Sequence, residues 1–389
     1  MVGARASAAR RAAGAGVNVS SEQLALYARR LWPPFALAAL LVVTWALVDS
    51  FGGTTYQAYG VRMFLNLMVV LALQIFSGNS GVLSFGHAAF VATGAYFSAL
   101  LTIPKDQKTF QFLTMPHWLS SWIFPAQLSP LEAILAGAGL AAVVAAIFAP
   151  PIARLTGVGA GIATLALLVI DNVFNVQTTS ITRGTSTLIG VPLTTTYISV
   201  LVWCLIFLAV AYVFKQSRFG LRLRATRENV RAAKSVGIRV ARERAIAWIL
   251  SGFVAGAAGA LYGHWYVTFS PGDFYINTNG IDLVILPIAM LVIGGMGSVT
   301  GAVVGCYFVT IVYTFFNRWE VDGFSGTVST VPSGTANLVL AGTFLIVLIL
   351  RPRGLSGGRE LAWPFDWRLP RRRPERREIP TEQPAGSTK

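Results

Sequence analysis

The chain has 389 residues, of which 54% are apolar and only 12% charged, and its mean hydropathy is +0.61. A soluble domain carries about 25% charged residues, so this composition excludes both a disordered chain and an ordinary soluble globule, and it points to repeated apolar runs of membrane length. The formal net charge is +15, which suggests a nucleic-acid partner until the charges are placed along the chain.

Residues 1–30 are rich in Arg and Ala and nearly free of acid. They resemble the charged start of a targeting peptide. The first apolar run follows Pro33-Pro34 with no persuasive cleavage site after it, so we read 1–30 as a cytoplasmic arm and the run as a retained helix. Counting that run there are ten, at about 33–49, 62–77, 82–101, 131–150, 158–177, 197–214, 245–266, 280–294, 298–316 and 335–350. The predicted fold is all-α: a polytopic membrane bundle of about ten transmembrane helices over residues 31–350. With a cytoplasmic N-terminus, 26 of the 31 basic residues fall on the cytoplasmic side. The positive-inside rule then puts both termini in the cytoplasm. The basicity is topological, and no nucleic-acid partner is expected. The cysteines, Cys204 and Cys306, lie within apolar runs and give neither a disulfide framework nor a metal-site spacing.

The runs are rich in small residues. Gly252, Gly256, Gly259 and Gly263 crowd the seventh, and Gly297, Gly301 and Gly305 repeat on one face of the ninth. Such faces let helix backbones approach closely. Two Gly-rich turns, at 78–81 and 294–297, end adjacent spans on the cytoplasmic side.

Intramembrane polar residues are candidates for a pathway or for packing. Asp171 and Asn175 lie near the outer end of the fifth run, where a carboxylate lines a substrate route or caps and packs a helix. Ser84, Gly86 and His87 open the third run. The three-residue spacing of Ser84 and His87 invites a nucleophile–base pair. No orienting carboxylate lies near them in sequence, and a helix-start motif is the preferred reading. Gly256 and Gly295 complete this group of pathway or packing residues.

One polar loop, residues 215–244, separates the sixth and seventh runs. Ala225–Val236 predicts a short helix closed by Gly237. Ala225, Asn229, Ala232 and Ala233 recur at helical spacing and form a smooth face, with Arg227, Arg231 and Lys234 on the other side. This helix suits a groove on another protein, and it equally suits a surface helix that only serves the charge asymmetry. Residues 351–389 read as a solvated basic tail that meets anionic headgroups.

Four separated segments carry a family resemblance in the same order: SGNSGVLSFGHAAFVATGAYFSALL (77–101), GLRLRATRENVRAAKSVGIRV (220–240), SGFVAGAAGALYGHWYVTFSPGDF (251–274) and LVIGGMGSVTGAVVG (291–305). The chain resembles the permeases of branched-chain amino acid ABC importers, the LivM-type subunit more than the LivH-type. ITRGTSTLIGVP resembles the family's periplasmic segment, with Arg183 where Gly is usual, and residues 105–129 depart from the common pattern.

The resemblance implies a transporter subunit in a bacterial inner membrane rather than an enzyme. It implies a second homologous permease, two cytoplasmic ATP-binding subunits and an extracytoplasmic substrate-binding protein, with no cofactor or metal of its own. None of the five lysines follows a glycine, so the chain has no phosphate-cradling P-loop, and any ATPase is another polypeptide. Arg227, Glu228, Asn229, Ala232, Ala233 and Gly237 then become the ATPase-coupling residues. The substrate stays open between branched-chain or related amino acids and urea or another small polar solute. An ATP-independent transporter would need paired intramembrane acids, for which only Asp171, Glu132 and Asp282 are available.

Overall fold

Peptide groups in apolar surroundings must bond to one another, which favours a helix for each apolar run. The computed structural model describes residues 31–275, 283–322, 332 and 334–361. Helix α1 is Leu31–Phe51. Helix α2, Gly53–Leu73, continues through a π-helical turn, Gln74–Gly78. Asn79 closes that turn, its side-chain amide donating to the Gln74 and Ile75 carbonyls (3.0 Å each) that the wider turn frees. Then come α3 (His87–Thr102), α4 (Lys105–Gln111), α5 (His117–Ile123), α6 (Pro130–Arg154), α7 (Val158–Gln177) and α8 (Thr179–Thr182). They are followed by α9 (Tyr197–Gln216), α10 (Arg218–Glu228), α11 (Val230–Ser235), α12 (Val240–Tyr266), α13 (Ile285–Gly294), α14 (Val299–Asp322) and α15 (Thr335–Leu350). Among the described residues the sole β pairing outside helices is one antiparallel bridge, Leu188 with Phe269.

The bundle is helical as expected, but the count of ten spans needs correction. Every expected run carries a helix. Seven are long and apolar enough to cross a membrane, or eight if α3 and α4, bent by 120°, form one broken span. The remaining two, α13 and α15, have 10 and 16 residues. They extend about 15 and 24 Å against roughly 30 Å of hydrocarbon. Helix α13 ends where Gly295 takes φ +110°, and its expected start at 280 lies outside the described residues. Helix α15 ends at Arg351-Pro352, where proline cannot continue the hydrogen-bond ladder.

Glycine sets the centre of the bundle, where α3, α6 and α12 pack together. A Cβ on Gly94 would lie 2.0 Å from the Gly256 carbonyl, and one on Gly259 would lie 1.9 Å from the Val91 carbonyl. Gly256 itself faces Ala141 and Ala138 of α6. The three backbones meet at distances that no larger residue permits. Glu132 serves the start of α6 by a capping box with Ser129, a local role in helix geometry.

Contacts at the helix ends sort into two groups, one at the end expected to face the cytoplasm and one at the opposite end. On the cytoplasmic side, Arg244 of α12 donates to the Leu155 carbonyl after α6 (2.7 Å), and Arg227 of α10 to the Gly78 carbonyl at the end of α2 (2.7 Å). On the other side, His264 Nδ1 donates to the Pro192 carbonyl (3.1 Å), and Gln111 bonds the Ile189 backbone. The expected tail boundary also moves. Residues 351–360 fold against the helix ends, although Arg351, Pro352, Arg353, Gly357 and Arg359 stay exposed: Leu355 N donates to Ile293 O (2.8 Å), Ser356 N to Gly294 O (3.0 Å), and Leu31–Glu360 forms one unit. The rest of the expected tail and the N-terminal arm lie outside the described residues, apart from Leu361, as does Asp282.

Candidate functional site

The polar loop folds as a helical hairpin rather than the single helix expected over 225–236. Ser217 caps α10 by accepting from Gly220 N (3.3 Å). The helix ends at Asn229, whose backbone is extended at φ −154° and ψ 108°. Its side-chain oxygen accepts from Arg231 N (3.0 Å) and Ala232 N (3.1 Å), making it the N-cap of α11. Gly237, at φ +83°, closes α11 as anticipated: its N–H bonds the Lys234 carbonyl and Ile238 N–H the Ala233 carbonyl. This is the paired Schellman pattern that a left-handed residue permits.

The break corrects the smooth-face reading. Ala225 belongs to α10, whereas Ala232 and Ala233 belong to α11, so the four small residues share no single helix face. Ala232 and Glu228 are exposed, while Ala233 is buried at 4% exposure within the chain's own fold. Arg227, placed with the partner contacts, reaches inward to Gly78 and packs its stem over Gly81, within 2.8 Å of a Cβ position there. Of the six expected coupling residues, Arg227, Glu228, Asn229, Ala232 and Gly237 are exposed and Ala233 is not, and Arg227 is also tied to the Gly78 carbonyl.

A buried ion pair anchors the base of this hairpin, and no local pattern in the chain marks it. Lys215 at the end of α9 bonds Glu360 and also donates to the Gly297 carbonyl (2.7 Å). Glu360 accepts from Val299 N (2.9 Å), Thr300 N (3.0 Å) and Thr300 Oγ1 (2.6 Å), so it caps α14. Burial alone would raise the Glu360 carboxyl; Lys215 and the Thr300 donors outweigh that and hold it below the usual carboxylate range. Gly295 turns beneath this tail, with a virtual Cβ 2.9 Å from the Arg353 carbonyl, so its role is close backbone approach.

The Ser84–His87 pair is real in geometry and structural in its surroundings. Ser251 Oγ donates to the Trp248 carbonyl (2.8 Å), which assigns it as acceptor from His87 Nε2 (3.1 Å). His87 Nδ1 then accepts from the Ser84 hydroxyl (2.9 Å). A second hydroxyl, that of Ser251, and not a carboxylate orients the imidazole, and the rings of Phe76, Phe90 and Trp248 enclose it. Gly86 lets this turn approach α7, where a Cβ would lie 2.8 Å from the Thr164 carbonyl. At the opposite end of the same helix pair, Ser98 of α3 bonds His264 Nε2 of α12 (2.8 Å). Two Ser–His bonds, with the histidine on α3 in one and on α12 in the other, join α3 to α12.

Asp171 and Asn175 meet in the outer half of α7. Tyr275 Oη donates to Asp171 Oδ2 (2.5 Å), and Asn175 Nδ2 donates to Tyr275 Oη (2.7 Å). Tyr275 lies 104 residues from Asp171, and nothing local in the sequence announced it. The cluster is remote from the hairpin, so the expected residues divide into an inner group and an outer one.

A bundle of apolar helices with a basic hairpin on one side defines a multi-pass membrane protein. The chain belongs to the family described as the permease component of the branched-chain amino acid transport system, whose pattern matches residues 59–349. It is 30% identical over 162 residues to a probable branched-chain amino acid transport permease protein LivH of Methanocaldococcus jannaschii, covering 41% of this chain and 48% of the relative. It is also similar to the autoinducer 2 import system permease protein LsrC of Shigella flexneri, at 30% identity over 34% of this chain and 40% of that one. The corresponding protein of Salmonella typhimurium is 31% identical over the same shares. The chain thus spans less than half of these relatives' lengths. No solved structure matches.

Proposed function

We propose that this chain is the transmembrane subunit of an ATP-driven importer for branched-chain or related amino acids, forming half of the translocation pathway. It pairs with a second homologous permease, with two cytoplasmic ATP-binding subunits that carry the hydrolysis, and with an extracytoplasmic substrate-binding protein. The supporting observation is the α10–α11 hairpin. Its tip, Asn229–Gly237, is exposed apart from Ala233 and partly Val230, while Arg227, just before the tip, bonds the end of α2, and the hairpin runs directly into α9 and α12. A force on the tip is therefore delivered to three spans at once, the linkage a two-state inward–outward change needs.

The test is Ala232→Trp in the full transporter complex. An indole at this exposed position blocks entry into a partner groove without disturbing the buried Ala233. Substrate-stimulated ATP turnover and ATPase co-purification are expected to fall to background while membrane insertion is retained. Wild-type turnover in this variant, or full substrate flux by the chain alone in liposomes, would overturn the reading. Binding of an amino-acid panel to the partner binding protein separates the substrate classes.

A further inference from the structure

A cleft of about 410 Å³ opens between α10 and the folded tail. Arg224, Arg227 and Glu228 line one side, Arg353 and Gly358 the other, and Gly297 lies between. The floor is backbone: a Cβ on Gly297 would come within 3.0 Å of the Gly358 carbonyl. Three guanidinium groups therefore dominate the lining, with one carboxylate against them. Lys215 adds no free charge, since Glu360 neutralises it. Arg224 is anchored through its Nη2 to the Lys215 carbonyl (3.3 Å) and Arg227 through its Nη1 to the Gly78 carbonyl (2.7 Å), which fixes both guanidinium groups at the cleft wall.

From this geometry we infer that the cleft is a binding site for a phosphate group. A planar guanidinium presents paired donors that match phosphate oxygens, and charge-assisted bonds of this type are among the stronger ones. The volume falls in the range of small-molecule pockets, about 300–1,000 Å³, so it holds a phosphorylated headgroup or a free phosphate compound rather than only a bare ion. The site lies where α9, α13 and α15 end, because Lys215, Gly295 and Pro352 gather around it. That is the level of the cytoplasmic headgroups, where anionic lipid concentrates. A bound phosphate joins α10 to the tail across the cleft and stiffens the base of the hairpin. This inference does not depend on the coupling role, and either can fail alone.

The experiment uses the full-length chain with two probes. In the first arm the protein is taken from nanodiscs of phosphatidylglycerol and phosphatidylcholine, and retained lipid is counted by native mass spectrometry. In the second, inorganic phosphate is titrated calorimetrically against chloride at matched ionic strength. Selective retention of phosphatidylglycerol identifies a headgroup site, and saturable phosphate binding without lipid retention identifies a soluble ligand; both support the inference. Arg353→Gln, in an exposed turn, is expected to weaken binding about tenfold, the scale of one charge-assisted contact, and Arg353→Lys less. Arg231→Gln removes equal charge outside the cleft and is expected to leave binding unchanged. Arg224→Gln repeats the test from the opposite wall. Absence of binding by both probes, or equal losses in Arg353→Gln and Arg231→Gln, would overturn the inference.

Discussion

The two ends of the bundle are fastened by different chemistry. At the cytoplasmic end the fasteners are cations on backbone carbonyls and one buried ion pair: Arg244 on Leu155, Arg227 on Gly78, Lys215 on Gly297 and Glu360. At the outer end the bonds between spans are neutral, His264 between Ser98 and Pro192, Asn175 on Tyr275, and Thr195 on the Leu261 carbonyl (3.0 Å), and the cations there, Lys108 on the Ile123 and Ala126 carbonyls and Arg183 on the Thr187 carbonyl, serve the short segments between spans. The difference shows what the positive-inside surplus does beyond setting orientation. Helix C-termini present unpaired carbonyls, and Arg or Lys placed there for topology also satisfies them.

Glu360→Ala is the largest test of this contrast. It leaves Lys215 buried without its partner and uncaps α14, and breaking a buried pair typically costs about 3–5 kcal/mol. Its pH dependence follows from the lowered carboxyl. The folded state binds the proton less readily than the unfolded chain, so the stabilisation is complete above the ordinary carboxylate range. It is lost as pH falls through the lower folded value. Thermal unfolding in detergent between neutral and acid pH is expected to show this acid step in the wild type. Glu360→Gln should flatten the step, so the two proteins converge at low pH; parallel curves would remove the ion pair from the account.

Arg244→Met comes next. It orphans the Leu155 carbonyl, to which Arg244 donates at 2.7 Å from a site 4% exposed. A bond to a charged group is worth about 1.5–3 kcal/mol, read as a lower unfolding midpoint. The outer counterpart, His264→Phe, removes two neutral bonds at about 1 kcal/mol each. A loss at His264 larger than at Arg244 would reverse the proposed contrast.

Much of this was legible because it is local. The apolar runs give the helices, and Gly237 gives the end of α11. Asn229 was misplaced although its signal was present: Asn is a poor helix-interior residue and a strong N-cap, and the regular spacing of the alanines concealed it. Lys215–Glu360 was illegible for a different reason. The partners are 145 residues apart, and one Glu among the four of a basic tail has no periodicity to mark it. The clamp of His87 was half visible, since Ser84 is near in sequence and Ser251 is not. Tyr275 of the outer cluster was hidden in the same way.

The smallest expected effect concerns the two departures from the family pattern, which prove to be bonded to each other. Arg183 stands where Gly is usual, and its backbone is left-handed at φ 64°, a conformation that favours glycine. Its side chain donates to Gln111 Oε1 (2.9 Å) and to the Thr187 carbonyl (2.7 Å). Gln111 belongs to the atypical 105–129 segment, and it also pairs with both backbone groups of Ile189. The arginine thus accepts backbone strain and in return ties that segment to the loop. Arg183→Gly relieves strain of about 1 kcal/mol and loses partly exposed bonds of about the same total, so its net stability change is expected near zero. Arg183→Ala loses the bonds and keeps the strain, so it should be less stable than the glycine variant, the reverse of their order in a helix. Both variants should speed hydrogen exchange across 105–111, while exchange in α12 stays unchanged. An alanine variant as stable as the glycine one would mean that the left-handed backbone carries no strain here. Unchanged exchange at 105–111 would mean that Arg183 does not hold the segment.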